Sequence, residues 1–66
     1  MAKYPNVHVS FAGVDGNAFN LLGIVLSALR RAHVPPEERA AFQKQATSGD
    51  YNNLLATCFE WVEVAV

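Results

Sequence analysis

The stretch from Gly13 to His33 reads GVDGNAFNLLGIVLSALRRAH and holds a polar turn, a helix start and the longest apolar face of the chain. From Asn17 onward the pattern is helical. Leu22, Val25, Leu26 and Leu29 recur at the i, i+3, i+4, i+7 spacing that lines one helix face, and Ala18 and Ala32 extend the stripe. In the turn, Gly16 can take a positive φ at little cost. Asp15 or Asn17 can lend a side-chain oxygen to the unpaired N–H groups of the first turn, with Asn17 the preferred cap. At the far end Arg30, Arg31 and His33 stand beside the last carbonyls, where the helix dipole favours positive charge, and Pro35-Pro36 stops the helix after about Ala32.

Leu21, Ile24 and Ala28 lie away from the main stripe and are also apolar, so this helix is expected to be covered on two sides. Gly23 inside it costs roughly 1 kcal/mol relative to alanine. It is either a site where another backbone comes close or a tolerated neutral glycine.

Working outward, Met1 to Asn6 reads as a loosely held lead-in, with Pro5 discouraging helix. Val7 to Ala12 alternates Val7, Val9 and Phe11 with His8, Ser10 and Ala12, the period of a half-buried strand. Beyond the first helix, Pro35-Pro36-Glu37-Glu38 starts a second, short one anchored by Phe42, with Ala40, Ala41 and Ala46 on its modest apolar face. Ser48-Gly49 is expected to end it. Asp50 or Ser48 then caps a third helix with Tyr51, Leu54, Leu55, Cys58 and Phe59 at helical spacing. From about Trp61 the alternation returns, with Val62, Val64 and Val66 on one face of a second strand. The expected fold is a single α+β domain over residues 1–66, order β-α-α-α-β, its two strands paired and packed on the long first helix.

Sixty-six residues make one small core, which rarely supplies more than about 3–5 kcal/mol without a disulfide, a metal or a partner. Cys58 is the only cysteine, so no internal disulfide can help, and the usage fits a reducing compartment. Hydrophobic residues are 52% and charged residues 17%, against a usual charged share of about 25%, leaving few charges to solvate a monomer. A homo-oligomer is therefore expected. The N-terminus lacks the apolar core of a signal peptide, and no run approaches the roughly 18 apolar residues of a membrane span, so the expected location is cytoplasmic and off the membrane. A net charge of −1 and a pI near 6.0 give no electrostatic reason to expect nucleic acid.

The chain resembles a group of short, uncharacterised proteins of bacterial genomes and phages. The likeness rests on Asp15-Gly16-Asn17-Ala18-Phe19, Leu22-Gly23, Ala28-Leu29-Arg30-Arg31-Ala32, Ala46-Thr47-Ser48-Gly49-Asp50-Tyr51, Leu54-Leu55 and Trp61-Val62, and covers nearly the whole chain. It implies a phage-type accessory context more than a mechanism. The chain departs from that pattern at Ile24, where a basic residue is more usual, and at His33, where glycine is.

The constellation that stands out joins the Asp15-Gly16-Asn17 turn, followed by Phe19, with the Ser48-Gly49-Asp50-Tyr51 turn. Each is a polar loop at a helix start, able to hold a polar ligand through unpaired N–H groups. Asp15 and Asp50 repel phosphate but accept hydrogen bonds from a ribose hydroxyl or a base amino group, with Tyr51 or Phe19 stacking. Capping alone also accounts for these residue types. Arg30 and Arg31 could contact an anion or simply solvate a helix end. Cys58, on an apolar face with no sequence-adjacent base, reads as core. His8 and His33 with one cysteine make no recognised metal spacing, and no cofactor is expected. Trp61 reads as an anchor at the helix-to-strand junction. A helix-turn-helix reading of the second and third helices is disfavoured, because the recognition stretch Asp50-Tyr51-Asn52-Asn53-Leu54 opens on an acid and carries no basic residue.

The expected function is binding without catalysis: a homo-oligomer that holds or sequesters a polar, nucleotide-derived small molecule between the two turns. The alternative is a protein-interaction module or inhibitor that docks on a protein target through an apolar helix face or a strand edge. An enzyme is the least supported class, since no nucleophile, base and orienting group assemble by recognisable spacing.

Overall fold

A computed structural model describes residues 2–65 of the chain. The order is β1 (Tyr4–Ser10), α1 (Ala18–Arg31), α2 (Pro36–Ala46), α3 (Tyr51–Trp61) and β2 (Val62–Ala65), an α+β arrangement with both strands in one sheet. The strands run parallel, which requires a long crossover, and the three helices supply it. The register pairs Tyr4 with Val62, then shifts, and resumes with His8–Glu63, Val9–Val64 and Ser10–Ala65. The shift falls where Pro5, lacking an N–H, has nothing to give the ladder.

Three boundaries differ from the sequence reading. β1 starts at Tyr4, so Tyr4 to Asn6 belong to the sheet and are no lead-in; Met1 lies outside the described residues. The reason is aromatic and polar anchorage: the Tyr4 ring stacks on Trp61 at 5.9 Å, its hydroxyl donates to Glu38 Oε1 (2.8 Å), and the Lys3 N–H donates to the Glu60 carbonyl (2.7 Å). β1 stops at Ser10, although the Phe11 N–H still reaches the Ala65 carbonyl (3.0 Å). Trp61 ends α3 and β2 starts at Val62; Val66 lies outside the described residues.

The core gathers Val7 and Val9 from β1, Leu22, Val25 and Leu29 from α1, Phe42 from α2, Leu54, Cys58 and Trp61 from α3, and Val62 from β2. Val25, Leu29, Phe42 and Cys58 are wholly buried. Trp61 is the junction: its ring meets Phe42 edge-on at 5.6 Å, and its indole N–H donates to Gln45 Oε1 (3.1 Å). In α1 the second apolar flank is real, since Leu21 and Ala28 are buried by the chain itself, while Ile24 is half-buried. Ala18 and Ala32, expected in the stripe, are exposed. Gly23 is also exposed, and a methyl group added there would meet nothing within 4 Å, so no backbone of the same chain exploits it. The buried line of α3 is Leu54, Thr57, Cys58 and Trp61, which turns Tyr51 and Phe59 outward against expectation. Thr57 joins that line at no polar cost, because its hydroxyl donates to the Asn53 carbonyl (2.8 Å). In α2, Phe42 and Ala46 are buried but Ala40 and Ala41 are not.

Candidate functional site

Asn17 caps α1, its Oδ1 accepting from the Phe19 N–H at 2.8 Å. The positive φ of the preceding turn belongs to Gly13 (71°), not to Gly16. Gly13 is third in a turn closed by the Val14 N–H on the Phe11 carbonyl (3.3 Å), a place that favours glycine. Asp50 caps α3, with Oδ1 accepting from the Asn53 N–H at 2.9 Å.

The end of α2 is closed by side chains rather than by a left-handed glycine. Thr47 and Ser48 hydroxyls donate to the carbonyls of Gln43 and Gln45 (2.7 Å each), and Asn53 Nδ2 reaches the Gln45 carbonyl at 2.9 Å. Gly49 serves close approach instead: a methyl group there would sit 3.0 Å from Asn53 Cβ. Asn53 is thereby committed to the turn, which weakens any base-reading role for α3 further.

The two turns meet. The Tyr51 hydroxyl donates to the Gly16 carbonyl oxygen, and beside this tie opens a groove of about 260 Å³. Leu22, Ala46 and Leu54 give it an apolar floor, with Ala18 and Phe19 on one side. Thr47, Gly49, Asp50 and Tyr51 form the other. Phe19 is 82% exposed and Tyr51 43%, so both rings stand open to a ligand.

Of the residues singled out from the sequence, Phe19, Gly49, Asp50 and Tyr51 line the groove. Gly16 and Asn17 border it through the tie and the cap, and Asp15 and Ser48 are exposed outside its lining. Arg30 and Arg31 sit at the opposite end of α1, roughly 12–20 Å along the helix from the groove residues Leu22 and Ala18, and take no part in the groove's lining. The sequence reading missed Ala18, Leu22, Ala46, Thr47 and Leu54. Helical spacing marked Ala18, Leu22, Ala46 and Leu54 as core, Thr47 carried no signal of its own, and nothing in a one-dimensional pattern shows that two helix ends leave a gap between them.

No protein-family model, curated protein or solved structure matches the chain.

Elsewhere, no helix among the described residues is long and apolar enough to cross a membrane, and no group of three metal-binding side chains occurs among them. Burial pushes the Cys58 thiol up to about 11, which makes it a poor nucleophile at neutral pH.

Proposed function

We propose that this chain is a non-enzymatic binding protein which works as a homo-oligomer and takes the ring of a polar, nucleotide-derived small molecule into the groove between the two turns. The observation that carries the reading is the bond from Tyr51 to Gly16, which holds two aromatic side chains and a carboxylate around one apolar floor. Burying a flat ring against Phe19 and Tyr51 removes exposed aromatic surface from water. Asp50 spends Oδ1 on its helix cap and keeps its other oxygen for an amino group. A volume of about 260 Å³ falls below the roughly 300–1,000 Å³ of pockets that enclose drug-sized ligands. It suits a base, with sugar and phosphate left outside. A sequestering role in a phage-type setting follows from the resemblance alone.

A panel of nucleosides and nucleotides in thermal melting tests this, together with native mass spectrometry of the protein purified from cells. Asp50→Asn separates the two roles of that residue, because asparagine caps a helix as well as aspartate does. The expected result is an unchanged melting point without ligand and a lost ligand shift. A flat response to the whole panel, with no retained small molecule, overturns the reading. Phe59, 51% exposed on α3 away from the groove, favours the second reading, a module that docks on another protein. Under that reading a Phe59→Ser variant keeps its fold and loses a protein partner.

A further inference from the structure

The outer face of α1 carries a shallow depression lined by Phe19, Asn20, Gly23, Ile24, Ser27 and Arg31. It is open to solvent along its length, with Gly23 at its middle presenting bare backbone. Phe19 is the ridge between this depression and the groove. Arg31 is the only charged residue in its lining; along the helix itself the charges at the two ends are opposite in sign, with Asp15 preceding α1 and Arg30 and Arg31 closing it. Among the described residues none of these three takes part in an ion pair.

A helix with an acid before it, two bases at its end and an exposed glycine between is complementary to itself when turned end for end. We infer that α1 packs antiparallel on α1 of a second copy, crossing at Gly23, and that each copy thereby lends its Arg30 to the other's groove. This rests on the homo-oligomer reading above and specifies it. With the two Gly23 residues at the crossing, the Phe19 ring lies level with the partner's Ser27, where a small side chain leaves room for it. The Asp15-Gly16 turn lies level with the partner's Arg30 and Arg31. A two-fold axis across both helices keeps each lateral side with itself, so the partner's Arg30 arrives on the groove side of α1. Two features unexplained within one chain then have a use. Gly23 lets two helix backbones come close, and Arg30, which a single chain holds roughly 12–18 Å along the helix from its own groove residues, stands at the mouth of the neighbouring one, where a ligand's phosphate would emerge.

Charge exchange tests the arrangement through mass, independently of any ligand. Sedimentation should show a wild-type dimer at micromolar concentration, and dimers of Asp15→Lys and of the Arg30→Glu/Arg31→Glu double variant weakened about tenfold or more. Mixing the two variants should restore a dimer that contains one of each, which also proves that both fold. Gly23→Cys should form a disulfide-linked dimer on mild oxidation, while Ala40→Cys on the exposed side of α2 should not; Cys58 is buried and does not interfere. A wild-type dimer indifferent to both charge variants, or a mixture no tighter than its parts, overturns this interface and leaves the oligomer reading standing. A wild-type monomer overturns both, and the groove is then judged by the nucleotide melting shifts alone.

Discussion

The Tyr51 hydroxyl and the Gly16 carbonyl oxygen are hydrogen-bonded across 35 positions of sequence, and this single bond joins the entry of α3 to the entry of α1. An exposed neutral bond contributes about 0.5–1.5 kcal/mol. Tyr51→Phe should therefore lower the urea midpoint only slightly while keeping the ring in the groove wall. Because the turns are no longer tied, the melting shift from a bound nucleotide should fall more than stability does. An unaltered ligand shift would show that the tie does not shape the groove.

His33 adopts φ 62°, a left-handed backbone that costs an L-residue roughly 1–2 kcal/mol. It holds the position after the α1 C-cap in a Schellman arrangement, with the His33 N–H on the Arg30 carbonyl and the Val34 N–H on the Leu29 carbonyl (3.0 Å each). His33→Gly should raise the unfolding free energy by about 1 kcal/mol in denaturant titration. Histidine and glycine variants of equal stability would falsify the strain assigned to this turn.

Cys58 links stability to alkaline pH. Burial raises its thiol from 9.0 to about 11, so above pH 9 the unfolded chain releases a proton that the folded chain retains. Folding stability from this group is complete below pH 9 and is lost progressively as pH climbs toward 11, by up to about 3 kcal/mol. Denaturant titrations at pH 7 and 10 should show a smaller alkaline loss in Cys58→Ala than in the wild type. In the folded state at neutral pH the thiol should resist alkylation.

At the acid end the sensitive group is Glu38. Hydrogen bonds from Lys3 and then from Tyr4 hold its carboxyl below the usual range. The contact is present above the ordinary glutamate range near pH 4.3 and is lost as pH falls through the lowered value. Lys3, 2.7 Å from Glu38, lies 4.2 Å over the Trp61 ring, so the event is visible optically. Trp61 emission should change as Glu38 takes up its proton, and Glu38→Gln should remove that step. The same step in the variant would assign it to another carboxyl.

Much of the fold was legible because periodicity is local. The Leu22, Val25, Leu29 stripe, the Val7, Val9 alternation and the caps at Asn17 and Asp50 each depend on neighbours a few residues away, and each stands as read. The faults have a common origin in contacts distant in sequence. Tyr4 joined the sheet because Trp61 and Glu38 hold it, and Phe59 lost its place because Leu54, Cys58 and Trp61 are the side of α3 that meets Leu29, Phe42 and Val62 in the core. Leu21 and Ala28, which marked a second apolar flank of α1, are covered by the chain itself, while Phe19 and the outer face of α1 stay exposed.

By itself the sequence determined which segments are helix and strand, in what order, and where helices begin, since these follow from backbone preference and side-chain spacing over one or two turns. Tertiary structure alone decided that the strands run parallel, that Tyr51 reaches Gly16, and that the two polar turns flank an apolar groove from which Arg30 and Arg31 are excluded. Those outcomes depend on how three helices share one small core, a problem of packing in space that no stretch of the chain encodes separately.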